Sequence, residues 1–196
     1  MKIAIFASGN GSNAEAIIRA VKNGELEAEV AAVVCDNPSA KVIERAKTYG
    51  VPVVVETPKA YPDKAAYERK ILRYLQEYGV EFIVLAGYMR LIGKTLLDAY
   101  EGKIVNIHPS LLPAFPGLDA IGQAFRKKVK ITGVTIHYVD EGIDTGPIIA
   151  QEAVVIEESD TLETLEKKIH EVEHALYPKT LQSIFKKMKE GSKTDE

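Results

Sequence analysis

A chain of 196 residues, 46% hydrophobic and 27% charged, carries enough apolar material for one domain with a buried core and has the balance of a globular protein. Its net charge of −3 and pI near 5.9 exclude the broad basic footprint of a nucleic-acid-binding domain, and its single cysteine, Cys35, excludes an internal disulfide and reads as a small buried apolar residue. No apolar run approaches the roughly 20 residues of a membrane span, and the N-terminus, MKIAIFASGNGSN, breaks into glycines too early for a signal peptide, so a cytoplasmic location is expected.

In chain order, the first half alternates short apolar runs with helical patterns. Residues 2–7 are strand-like, and 13–22 are helical by the spacing of Ala14, Ile17, Ile18 and Val21, with Gly24 just past the end. A strand over 29–35 is followed by a helix that Pro38 opens and Gly50 closes, running to about Tyr49. A short strand at 51–55, a long amphipathic helix at 62–78 ending at Gly79, and a strand at 81–86 complete this half. Near-continuous Val, Ile and Leu runs mark strands buried on both faces. The βαβ succession therefore predicts an α/β fold with a doubly wound, mostly parallel, Rossmann-like sheet.

The second half changes rhythm. After a β-branched run at 104–107, strands at 131–139 and 147–156 flank a glycine-containing loop at 140–146 (DEGIDTG) and predict a C-terminal β-hairpin. Ser159 or Asp160 caps a long terminal helix, with Asp160 and Glu163 in capping-box spacing, and Pro178 is expected to kink or restart it. The chain reads as a single domain over 1–190, with 191–196 a flexible tail.

Three places carry chemistry. The stretch 104–116, IVNIHPSLLPAFP, sets Asn106 and His108 two apart, so both side chains leave one face at the C-terminal end of a strand, where open α/β sheets bind ligands. An amide and an imidazole there suit a developing oxyanion and a moving proton, and Asp144 downstream adds a carboxylate. Each residue alone also fits a strand-end amide or an ordinary turn. The loop 9–13 (GNGSN), between a strand and a helix, reads as an anion cradle or as a tight turn. Gly9, Gly11 and Ala14 with Asp36 also satisfy a formal dinucleotide fingerprint. The loop 87–92 (GYMRLI) offers an apolar slot from Met89, Leu91 and Ile92 and a carboxylate partner in Arg90, or is a plain strand-to-helix loop. His137 lies inside a strand; His170 and His174 share a helix face but lack a third ligand, so no metal is expected.

The segments ASGNGSN, LAGYMRLI, NIHPSLLPAFPG, TGVTIHYVDEGIDTGPII and EHALYP make residues 1 to about 177 resemble the folate-dependent phosphoribosylglycinamide formyltransferases of purine biosynthesis. NIHPSLLP with Asp144 marks folate formyltransferases as a group, and GNGSN narrows the resemblance to the glycinamide ribonucleotide branch. It implies the formyltransferase fold and direct transfer of a formyl group from 10-formyltetrahydrofolate, as co-substrate, to the amine of glycinamide ribonucleotide. Residues 1–100 would be the phosphate-binding half and 101–190 the catalytic and folate-binding half.

By the same resemblance, the catalytic residues correspond to Asn106, His108 and Asp144, and the ribonucleotide contacts to Gly11, Ser12, Asn13, Pro109 and Glu173. The folate contacts correspond to Lys64, Met89, Arg90, Leu91, Ile92, Asn106, Val139, Asp140, Glu141, Gly142 and Ile143. Lys64 stands where some relatives have arginine and cannot form a bidentate fork. Asp119 stands where some have histidine, and His170 where some have glutamine. The expected partners are these two small molecules, with no nucleic acid or membrane, in a monomer or homodimer. The rival readings are a formyltetrahydrofolate deformylase, a methionyl-tRNA formyltransferase, which needs a further RNA-gripping domain, a nucleotide-binding module without chemistry, and an NAD-dependent oxidoreductase. Leu112–Pro113 is the candidate cis bond.

Overall fold

The computed structural model describes residues 1–194. Its strands are β1 (Lys2–Ala7), β2 (Glu29–Cys35), β3 (Val53–Val55), β4 (Phe82–Leu85), β5 (Ile104–His108), β6 (Ile131–Tyr138) and β7 (Ile148–Val155). Its helices are α1 (Ser12–Lys22), α2 (Lys41–Thr48), α3 (Lys64–Glu77), α4 (Lys94–Ala99), α5 (Ala120–Lys127) and α6 (Leu162–Thr194). The seven strands form one sheet in the order β3-β2-β1-β4-β5-β6-β7. The first five strands in this order are parallel; β6 and β7 run antiparallel, as the expected hairpin. The chain leaves β1 for one side of the sheet and returns to the other side at β4. The loops after β1 and β4 leave the same end of the sheet and are tied together, Ser8 N donating to the Gly87 carbonyl at 3.0 Å and Met89 N to Ser8 Oγ at 2.9 Å; such a switch point is where open α/β sheets form a crevice at the strands' C-terminal ends.

Every residue of β4, and all of β1 after Lys2, is buried, because helices cover both faces. One apolar layer joins Ile3, Ile5, Phe82 and Val105 to Ile17 and Ile18 of α1, Val42 of α2 and Leu165, Tyr177 and Leu181 of α6. The other joins Phe6, Ile83 and Leu85 to Tyr67, Ile71 and Leu75 of α3 and Leu96 of α4. The βαβ pattern and the hairpin agree with the sequence reading to within a few residues. Among the described residues, no helix is long and apolar enough to cross a membrane.

Three expectations are corrected. Pro38 does not open α2: Asn37 Oδ1 accepts from Ser39 N at 3.0 Å, and its carbonyl accepts from Ala40 N at 3.1 Å. That turn uses up the residues after Pro38, and the helix begins at Lys41. The cap of α6 is neither Ser159 nor Asp160. Thr161 Oγ1 accepts from Thr164 N at 3.2 Å while Thr161 N donates to Thr164 Oγ1 at 2.8 Å, a capping box one residue later. Asp160 instead accepts from Glu157 N and from Lys168 Nζ. Finally, of the kink or restart expected at Pro178, the restart does not occur: the helix is continuous across it, with buried Tyr177 before it and Leu181, Ile184 and Phe185 after it packed on the sheet. Of the expected tail, 191–194 belong to α6, and 195–196 lie outside the described residues. Helices α4 and α5 were not evident in the sequence. They are short, and α4 takes its N-terminal partner from outside: Glu68 of α3 accepts from Gly93 N at 2.7 Å.

Tyr177 ties α6 to the sheet. Its buried phenol donates to the Leu85 carbonyl at 2.7 Å and reaches the Val105 carbonyl at 3.4 Å, linking the end of β4 to the neighbouring strand β5. Burial pushes its pKa well up, so the hydroxyl stays a donor. Replacing it with phenylalanine keeps the packing and removes the donor. Tyr177→Phe should cost about 1–2 kcal/mol and lower Tm by about 3–6 °C, measured by thermal denaturation.

Candidate active site

The site is assembled where β5 ends. Asn106 and His108 leave the same face of that strand, and the antiparallel β6 sets His137 opposite Asn106 and Thr135 opposite His108. His108 is buried; its Nε2 donates to the Phe115 carbonyl at 2.9 Å, and its Nδ1 stands 3.5 Å from Asp144 Oδ2. Both ring nitrogens thus face acceptors, one a backbone carbonyl and the other a carboxylate. Asp144 takes a left-handed φ of 56°, which aspartate tolerates. Its Oδ2 accepts from Gly117 N at 2.9 Å, and its Oδ1 lies 3.7 Å from His137 Nε2. His137 donates from Nδ1 to the Tyr138 carbonyl at 2.8 Å, which turns Nε2 toward Asn106 Nδ2 at 3.5 Å.

One buried hydroxyl steadies the loop that follows His108. Thr135 Oγ1 donates to the Ser110 carbonyl at 2.7 Å and accepts from Leu112 N and Gln151 Nε2, both at 3.0 Å. The Leu112–Pro113 bond in this loop is cis. Pro109, next to His108, is half-buried.

Across the crevice lies the loop after β1. Gly11 has φ +79°, and a Cβ there would stand 2.5 Å from Val42 Cγ2 and 2.8 Å from the Val42 backbone. Only glycine meets both demands. No side chain caps α1, whose first-turn amides, at Ser12 and Asn13, carry the positive end of the helix dipole. Arg45 of α2 braces the loop by donating to the Asn10 carbonyl and to Asn10 Oδ1, each at 2.8 Å, while also pairing with Glu15. Asn13 Nδ2 donates to Glu173 Oε2 at 3.1 Å, which brings the glutamate of α6 to this loop.

The loop after β4 lies beside both. Met89 and Leu91 are exposed and Ile92 is buried, so the apolar slot exists in part as an open lip. Arg90 does hold a carboxylate, but an internal one: Nε donates to Asp36 Oδ2 at 2.8 Å. Asp36 is buried by this pairing, which takes away the free acidic group that a dinucleotide fingerprint needs. Lys64, exposed at the start of α3, runs along Gly93 just after this loop. The 140–146 loop closes on itself, with Asp140 Oδ1 accepting from Gly142 N at 2.9 Å and from Thr145 Oγ1 at 2.7 Å; these bonds hold the Asp140 carboxyl below its ordinary range. Val139 is half-buried, Glu141, Gly142 and Ile143 are exposed, and a Cβ on Gly146 would strike the Tyr138 carbonyl at 1.8 Å.

The sequence does not single out Thr135 or Arg45, and it marks His137 only as lying inside a strand. His137 and Thr135 join the site only through the β5–β6 register, and Arg45 only through helix packing. The alternation of Thr135 with His137, on a strand already predicted to be in a hairpin, was the one signal available. His170 and His174 stack with centroids 6.4 Å apart, and among the described residues no three His, Cys, Asp or Glu side chains gather as a metal site. Asp119 begins α5 at the surface, paired with Arg126 at 3.0 Å.

The formyl transferase family profile matches residues 1–181. The chain belongs to that family. The phosphoribosylglycinamide formyltransferase of Bacillus subtilis (strain 168) is 58% identical over 192 residues, 98% of each chain. The crystal structure of phosphoribosylglycinamide formyltransferase from Bacillus halodurans superposes with a TM-score of 0.92 at 65% identity, over 94% of this chain and 95% of that one. The trifunctional purine biosynthetic protein adenosine-3 of Gallus gallus is 39% identical over 184 residues, which are 94% of this chain and 18% of that protein. In this formyl transferase the tightest backbone constraint at the site is Gly11. Gly11→Ala should cost about 3 kcal/mol, from left-handed strain and overpacking on Val42, and lower Tm by about 6–12 °C in a thermal scan.

Proposed function

We infer that the protein transfers the formyl group of 10-formyltetrahydrofolate to the amine of glycinamide ribonucleotide, giving formylglycinamide ribonucleotide and tetrahydrofolate in purine biosynthesis. The carrying observation is the meeting of His108, Asp144, His137 and Asn106 at the end of β5, across from the uncapped N-terminus of α1. A buried imidazole held against a carboxylate suits proton transfer at an acyl carbon, and an uncapped helix end suits a phosphate. The full-length similarity to a phosphoribosylglycinamide formyltransferase supports the same pairing of substrates.

The chemistry follows from these groups. The neutral amine attacks the formyl carbon, and the carbonyl π pair moves onto oxygen as an oxyanion. Asn106 and the charged His108 ring stabilise that oxygen. In the structure His108 Nε2 is committed to the Phe115 carbonyl, so the substrate oxygen must take that acceptor's place. Collapse of the adduct breaks the bond to the folate nitrogen, which leaves with a proton from His108. The proton shed by the attacking amine passes toward Asp144, from which it returns to His108 once that ring has given up its own. No serine or cysteine stands as a nucleophile in this scheme, so transfer is direct. Gly11, Ser12 and Asn13 take the phosphate, with Glu173 and Pro109 on the ribonucleotide side. The pterin and its tail lie along Met89, Arg90, Leu91, Ile92, Lys64 and residues 139–143. Residues 1–190 act as one formyltransferase domain, and much of the acceleration comes from holding the two substrates together.

Folate release from a 10-formyl folate, followed spectrophotometrically, should require glycinamide ribonucleotide; release without it identifies a deformylase instead, and no release in either case refutes enzymatic transfer. His108→Ala and Asp144→Asn should each lower kcat by about 10²–10³-fold with the fold retained; Tm should be nearly unchanged in Asp144→Asn, since asparagine also accepts the left-handed conformation, and lower by a few degrees in His108→Ala, which leaves the Phe115 carbonyl without its donor. Ser12→Ala and Asn13→Ala should raise KM for the ribonucleotide several-fold and leave that for the formyl donor unchanged; steady-state kinetics with each substrate varied in turn checks this.

A further inference from the structure

We propose that His170 is a positioning residue for the ribonucleotide side of the site: from one turn back on α6 it holds Glu173 in place and supplies the positive charge that keeps this carboxylate from repelling the substrate phosphate. The inference rests on the functional reading above. Its basis is a chain of three side chains linking two helices. His170 Nδ1 lies 2.7 Å from Glu173 Oε1 at i,i+3 spacing, and Glu173 Oε2 accepts from Asn13 Nδ2 at 3.1 Å. Asn13 stands in the first turn of α1, so α6 grips the same loop that faces the phosphate. The Asn13 amide oxygen is buried with no hydrogen-bond partner among the described residues, which leaves Glu173 to orient the amide.

The two partners differ in access to water. The Glu173 side chain is 5% exposed and that of His170 49%, so the imidazole exchanges protons with solvent while the carboxylate stays committed. A buried carboxylate beside an anion-accepting helix end disfavours an incoming phosphate unless its charge is offset. The other charged groups nearby do not offset it. Glu166, on the same helix, is itself acidic. His174, stacked on His170, has its pKa pushed down by burial. Arg45 and Glu15, from α2 and α1, pair with each other. The hydrogen bond to Glu173 raises the His170 pKa above its ordinary 6.5. The raised value means that the imidazolium is fully present below pH 6.5 and is lost as pH climbs through the shifted pKa.

The test measures kcat and both KM values from about pH 6 to about pH 9 for the wild type, His170→Ala and His170→Gln. His170→Ala should raise the ribonucleotide KM about tenfold at the acid end and affect kcat and the formyl-donor KM much less. His170→Gln keeps a hydrogen bond without the charge. Its ribonucleotide KM, divided by that of the wild type, should be above one at low pH and fall toward one as His170 loses its proton. The ratio cancels titration of the substrate's own amine and phosphate. In the free protein, the His170 imidazole followed by NMR should titrate closer to 6.5 in Glu173→Gln. A pH-independent ratio, an alanine effect confined to kcat or to the formyl donor, or an imidazole titration unmoved by Glu173→Gln each overturns the proposal. A wild type with no ribonucleotide-dependent turnover overturns the functional reading and this proposal together, whereas an active wild type with parallel profiles overturns this proposal alone.

Discussion

The antiparallel pairing of β6 on β5 is the constraint on which the site depends. It sets His137 beside Asn106 and Thr135 beside His108, and the chain leaving β6 then carries Asp144 back to His108. A slip of one residue would turn His137 and Thr135 to the opposite face of the sheet. The buried Thr135 hydroxyl would then lose its bonds to Ser110, Leu112 and Gln151, which hold the loop after His108. The reversal of strand direction from β5 to β6 thus has a chemical consequence. A parallel neighbour would have needed a long crossover, and could not have returned directly to the same end of the sheet.

Around the crevice each buried carboxylate has a positive or hydrogen-bonding partner. Asp144 has the Gly117 amide and two imidazoles, Asp36 has Arg90, Glu68 has the Gly93 amide, and Glu173 has Asn13 and His170. Such pairing is what makes burial of these charges tolerable. It also fixes orientation before any substrate arrives. For a reaction whose transition state gains an oxyanion, dipoles held in advance are worth more than groups that must reorganise. The exposed lips, at Met89, Leu91 and Ile143, contrast with this pre-set interior, and are suited to an apolar ring system sliding in from solvent.

Much of this was legible because the relevant signals are local. Strand burial on both faces showed in the Val and Ile runs, and the Asn106–His108 spacing alone placed both side chains on one strand face. Glycine at 11 before a polar helix start marked a tight strand-to-helix loop, and NIHPSLLP with Asp144 carried the family resemblance. The misreadings have equally local causes. Pro38 looks like a helix opener, but Asn37 spends its side chain on a turn that delays the helix. Thr161 and Thr164 make a capping box that competes with the one suggested by Asp160 and Glu163. In the sequence Arg90 reads as a partner for a ligand carboxylate or as part of a plain loop, because nothing there says that Asp36, 54 residues away, lies against it.

The sequence by itself determined the alternation of strands and helices, the hairpin, the residues at the strand ends and the chemical types available there, since these follow from periodicity, backbone preferences and spacing of a few residues. Only the tertiary structure decided which of those groups meet. His137 against Asn106, Tyr177 against Leu85 of β4, Arg45 against Asn10, and Glu173 against Asn13 are contacts between residues some 30 to 160 positions apart. Such contacts depend on sheet register and helix packing, which are set by how all the apolar faces are buried at once and leave no mark in any short stretch of the chain.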